Sequence, residues 1–253
     1  MGLRGYKTLR CRVRRDKQMH YFFLDESYPP AASGQKTIVM AAWAVEQHRW
    51  GHDPAGRFDL FKPPLLKRVC SMIESLDGAA LVAKATLDDS LFRAGETDKT
   101  DDIPVMARPD LIWSMSALFV LGTLVLGLLT HNQEVGTIDI HFDPKALKSA
   151  HSVAWQKTLR QLVVTRTKQF ALERGFTRLK KLNIRRVEPV TKPDHRGQMK
   201  DKFSMGIWIS DKLCSHLDEI KAVKGCSRIS SLDMSESVRR TTQQFDGKAF
   251  DES

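Results

Sequence analysis

Two short stretches of the chain run apolar for several residues and then end on acid. His20-Tyr21-Phe22-Phe23-Leu24 leads into Asp25-Glu26-Ser27, and Thr137-Ile138-Asp139-Ile140-His141-Phe142 alternates apolar and polar residues before Asp143. Both read as strands. Residues 36–45 give a second strand, joined to the first by a short Pro- and Gly-containing segment that suggests a hairpin, and residues 79–87 a third. Leu65, Leu66, Val69, Met72, Ile73 and Leu76 recur at helical spacing and predict an amphipathic helix over 64–76. Residues 88–110 are polar and rich in breakers. After the acid-ending strand at 137–143 the pattern predicts a long helix over 145–174, a strand over 182–190, a loop over 191–202 and a helix over 203–217. The segment from 226 onward is rich in Ser, Thr and charge and reads as a polar, flexible tail.

Residues 111–130 interrupt this amphipathic pattern with twenty positions that carry no charge. Their length suffices to cross a bilayer, yet a helix enclosed on nearly all sides by a large domain has the same composition. Ser114, Ser116, Gly122, Thr123 and Gly127 moderate the run, and the flanking segments read as parts of one domain. The expectation is therefore a buried core helix, with no membrane partner.

The 253 residues suit one moderately large domain, expected over 20–225, with a basic arm at 1–19 and the polar tail at 226–253. The net charge of +10, from 40 Lys and Arg against 30 Asp and Glu, favours a polyanionic partner over a cationic one. The excess is concentrated in the arm and in the region 157–202, where Lys157, Arg160, Arg166, Lys168, Lys200 and Lys202 are candidates for phosphate contacts. A solvated basic face is the plainer reading of the same residues. Cys11, Cys70, Cys214 and Cys226 are scattered without a CxxC pair. That usage fits a reducing compartment, and the basic start lacks the apolar core of a secretory signal, so a cytoplasmic location is expected.

If the two acid-ending strands are parallel neighbours, Asp25 and Asp143 meet at one sheet edge. Each acid also has a structural reading. Asp25-Glu26-Ser27 precedes Tyr28-Pro29-Pro30 and can start a turn, Asp143 precedes Pro144 and can cap a helix, and Asp211 can pair with Lys212 or Lys202. Asp139 and His141 share a strand face with Asp143 as supporting ligands or a general base, although a structural histidine is the plainer role for His141. Glu26 points to the opposite face from Asp25 in a regular strand.

The order of elements resembles the ribonuclease H-like fold, an α/β mixed sheet flanked by helices, with an added apolar helix at about 111–130. More locally, Tyr21-Phe22-Phe23-Leu24-Asp25-Glu26-Ser27 followed by the strand 38–45 looks like the opening of a large, mostly uncharacterised bacterial and phage family with an Asp-Glu-Ser-Gly strand motif. Members also carry a late helix with an alanine-aspartate-leucine pattern, matched in part by Ile209-Ser210-Asp211-Lys212-Leu213. Tyr28 stands where the family has glycine, and Ser210 where it has alanine.

The resemblance implies a metal-dependent phosphodiester hydrolase in which Asp25, Asp143 and Asp211 hold Mg²⁺ or Mn²⁺, with Glu26 as a further catalytic acid. The ions would activate water and stabilise the leaving oxygen. Such sites also draw a glutamate from the helix before the fourth strand. Here that helix has no acid beyond Asp110 at its start, so Glu26 or an acid of the 98–102 loop must take that place. Two functions follow as expectations: a nuclease acting on RNA or DNA, or a catalytically weak nucleic-acid-binding or assembly protein of a mobile-element or phage-defence system, with a protein partner from that system.

Overall fold

A computed structural model describes residues 19–51, 57–93, 108–130, 135–144, 152–176, 182–193, 202–222 and 226–244. The basic arm, the 98–102 acids, the start of the expected long helix at 145–151 and Lys200 lie outside these residues.

The first strands form because Val, Ile, Ala and aromatic residues fill both faces of 19–46. β1 (Met19–Ser27) and β2 (Gln35–Glu46) pair as the expected hairpin, and β3 (Ala79–Asp88) continues the antiparallel meander. β4 (Thr137–Phe142) returns parallel to β1 on its other side, and β5 (Asn183–Pro189) lies parallel to β4. With β6 (Ile229–Asp233) parallel to β3, the six-stranded order is β5-β4-β1-β2-β3-β6. Central β1 and adjacent β4, in a mixed sheet flanked by helices, make this a ribonuclease H-like α/β fold.

Alternation along β1 divides the core in two. Phe22 and Leu24 face a layer of α3 (Arg108–Thr130), α4 (Val153–Glu173) and α7 (Ser235–Gln244), while Tyr21 and Phe23 face α1 (Leu65–Ser75) and α5 (Ser204–Ser215). Two short helices, α2 (Asp89–Arg93) and α6 (Leu217–Ala222), and a 3-10 turn at Gln47–Arg49 complete the described elements.

The apolar helix is α3. It packs on β2 and β3 and is covered by α4 and α7, so that 83% of its most apolar window is buried within the protein. Beyond Pro109 in its first turn, only a narrow line of Phe119, Thr123, Gly127 and Thr130 reaches partial or full exposure among its described side chains. The small polar residues serve protein contacts: the Trp155 indole donates to Ser114 Oγ at 3.0 Å, and the Ser114 hydroxyl donates to the Asp110 carbonyl at 2.6 Å. A single mostly buried helix of this kind is what a core helix of a soluble domain looks like.

The segment beyond 225 corrects the reading of a flexible tail. β6 closes the edge of β3, with the Ala80 amide donating to the Arg228 carbonyl at 2.8 Å and the Met234 amide to the Lys84 carbonyl at 2.8 Å. α7 then buries Met234, Val238 and Thr242, four residues apart, against the α3 layer. Composition concealed both elements, because an edge strand and a helix with one buried stripe carry mostly polar residues.

Candidate metal and phosphodiester site

The parallel register pairs Leu24 with Phe142, so the next positions, Asp25 and Asp143, stand side by side at the carboxyl ends of β1 and β4. The Asp143 amide donates to the Leu24 carbonyl at 3.3 Å and holds this junction closed. β1 continues through Ser27, so Asp25 and Glu26 are strand residues and not the start of a turn. Tyr28 lies outside the positive-φ region, so the backbone makes no demand for glycine there.

α5 brings the third aspartate, and its approach to β1 is fixed by close packing. A side-chain carbon at Gly206 would overlap the Phe23 ring, the Trp43 indole donates to the Gly206 carbonyl at 2.9 Å, and the Ser210 hydroxyl donates to the Phe23 carbonyl at 2.9 Å. Ser210 is therefore a fastener between the helix and the strand, and it sets the position of Asp211 beside it.

A lysine joins these acids. Lys192, just beyond β5, places Nζ 2.6 Å from Asp25 Oδ2, 2.8 Å from Asp211 Oδ1 and 3.1 Å from Asp143 Oδ2. Lys212 reaches the other Asp211 oxygen at 3.1 Å, so the predicted pairing of Asp211 is also present. Glu26 projects to the opposite face, as alternation requires, and its Oε2 accepts from the Trp113 indole at 2.8 Å. Asp25 and Asp143 are almost fully buried, whereas the side chains of Lys192 and Asp211 keep 19% and 24% of their exposure, which opens one side of the cluster to solvent.

Burial and crowding dominate the electrostatics. Burial pushes the Asp25 carboxyl up to about 8 against the attraction of Lys192, with Glu26 and Asp143 adding repulsion. Burial likewise pushes Glu26 up to about 7, opposed by the Trp113 hydrogen bond. At Asp211 burial also disfavours charge, but Lys192 and Lys212 outweigh it and its pKa is lowered. Burial works against the Lys192 ammonium, yet Asp25 and Asp211 more than compensate and raise its pKa. One ammonium thus stands in contact with all three aspartates.

The residues present fit a hard divalent cation. Their donors are all carboxylate oxygens, which suit Mg²⁺ or Mn²⁺. Among the described residues no group of three acids is spaced to hold a metal ion, and the oxygens of these three surround an ammonium. Magnesium takes oxygens at about 2.0 to 2.1 Å, so the carboxylates would have to draw inward by roughly 0.5 to 1 Å.

Asp139 and His141 are not brought to this cluster. Asp139 accepts from Arg185 of β5, with Nε at 2.9 Å, and so serves the sheet edge. His141 is fully buried, stacked on Phe203 with ring centroids 3.9 Å apart and flanked by Tyr21 and Phe23. Of the basic candidates, Lys157 is exposed near the start of α4, whose Trp155 packs on Trp113. Arg160, Arg166 and Lys168 are half-buried, and the last two lie roughly 13 to 17 Å farther along the helix than Lys157. Lys202 is exposed and places its ammonium 4.7 Å from the Phe203 ring centroid. Beside the end of β1 a cavity of about 420 Å³ is lined by Tyr28, Lys36, Thr37, Phe92 and Pro109 among others.

Sequence reasoning passed over Lys192, which lies in the 191–202 loop between two obvious elements. A signal was available, since Pro189 ends the strand that neighbours β4, and the residues just after it emerge beside Asp143. No protein-family model matches the sequence, and comparison with curated proteins likewise gave no match.

Proposed function

We propose that this protein is a divalent-metal-dependent nuclease of the cytoplasm that hydrolyses phosphodiester bonds in RNA or DNA, as its resemblance to the bacterial and phage family with the Asp-Glu-Ser-Gly motif implies. The observation that carries the proposal is the convergence of Asp25, Asp143 and Asp211, from two neighbouring strand ends and a helix, on one cation position. Asp25 and Asp143 are the fixed ligands, since burial and backbone pairing leave them little freedom. Asp211 is the ligand at the solvent side. A bound Mg²⁺ or Mn²⁺ would supply activation of water and charge stabilisation at the leaving oxygen. Glu26, held by Trp113 and pushed up to about 7, can take or give a proton near neutral pH on the other face of the strand end. The exposed Tyr28 ring, two residues farther on, offers a base-stacking surface, and the basic residues of α4 can follow a phosphate backbone.

Incubation with labelled single-stranded RNA, single-stranded DNA and an RNA:DNA hybrid, with Mg²⁺, Mn²⁺ or EDTA, tests this. Cleavage that requires metal and disappears in the Asp25→Asn, Asp143→Asn double variant is the expected result. Binding without cleavage under every metal would favour the second reading, a nucleic-acid-binding or assembly protein that works with a partner from a defence or mobile-element system. The placement of an ammonium among the acids, and a preceding helix whose one acid is Asp110 at its start, are the observations on that side.

A further inference from the structure

We infer that Lys192 is a tethered counter-cation that competes with the divalent ion for the same carboxylate oxygens, so that metal enters only as the ammonium leaves. The inference rests on the reading of Asp25, Asp143 and Asp211 as metal ligands. Its basis is the sharing of atoms: one Nζ stands within 3.1 Å of an oxygen of each aspartate. An ammonium and a divalent ion cannot both occupy the centre of three carboxylates, since each would repel the other across a short, poorly solvated distance.

The residue type suits the exchange. Lysine carries a compact charge on a flexible four-carbon stem, whereas arginine would lock two carboxylates into a planar fork. Lys192 follows the end of β5 at the solvent-facing side, and its side chain keeps 19% exposure, so a route outward exists without movement of the sheet. Lys212 provides the contrast. It touches only the outer Asp211 oxygen and lies 5.6 Å from the Trp208 ring centroid, away from the centre. The same lysine helps the buried aspartates tolerate one another without metal, since it contacts both Asp25 and Asp143.

Calorimetric titration of Mn²⁺ into wild type, Lys192→Met and Lys212→Met measures the competition. Lys192→Met is expected to bind Mn²⁺ about tenfold tighter or more than wild type, and Lys212→Met to change affinity far less. Equal or weaker binding by Lys192→Met beside a wild type that does bind would overturn the inference while leaving the metal site standing. Absence of binding by either folded protein would remove the metal-site reading and the inference with it. Should Lys192→Met fail to fold, amine acetylation of wild type read by mass spectrometry decides: Lys192 must become more reactive when Mn²⁺ is added, and unchanged reactivity overturns the competition.

Discussion

Asp25 and Glu26 hold protons that the unfolded chain would release, because burial lifts both carboxyls well above the ordinary range of about 4. A carboxyl raised in the folded state binds more protons there than in the unfolded state, so stability must fall as pH rises. Denaturant unfolding in EDTA is expected to show a loss of at least about 1 kcal/mol between pH 5 and pH 8, the worth of a single pKa unit. A flat profile would mean that Lys192 already satisfies the cluster. At this scale the sequence displayed the acids but not their manager. Asp25, Asp143 and Asp211 were legible because strand ends and a helix motif mark them; Lys192 was not, because its role comes from a loop that carries no pattern. Asp139 and His141 share the strand face of Asp143, but their described contacts are with Arg185 and with the Phe203, Tyr21 and Phe23 rings, since alternation along β4 gives direction and not distance from the edge.

Among the elements, α5 and α3 do the positioning. α5 can approach β1 only because position 206 has no side chain, and Gly206→Ala is expected to cost about 1 to 3 kcal/mol by forcing the helix off the Phe23 ring. Thermal unfolding would show the loss, and Asp211 would be displaced with the helix, so metal affinity should fall in parallel. α3 fills the opposite layer and anchors Glu26 through Trp113. Leu124 is 3% exposed there, and Leu124→Asp should prevent folding, which circular dichroism of the purified variant would reveal. The apolar run of α3 could be read from its length and lack of charge, and the strands of the hairpin and β4 from apolar residues that are buried along most of their length. β6 and α7 could not. Each buries one stripe at the margin of the core, and their partners on β3 and α3 are distant in the chain.

The whole molecule combines a strongly positive chain with an acidic centre at the middle of its sheet. A net charge of +10 draws a polyanion toward the surface, while the buried carboxylates repel its phosphates unless a cation stands between them. On the proposed nuclease reading, the basic residues of α4 and the exposed Lys202 would gather the substrate and the strand ends would take the metal. The element order resembles the ribonuclease H-like fold, in which the fourth strand lies beside the first, and the observed sheet has that adjacency. The most direct test of the central claim is a crystal structure of the wild-type protein soaked in Mn²⁺, read by anomalous scattering. The account predicts a peak bounded by Asp25, Asp143 and Asp211 with the Lys192 side chain turned outward. An ammonium still seated among the three aspartates at saturating Mn²⁺, with no peak beside them, would contradict it.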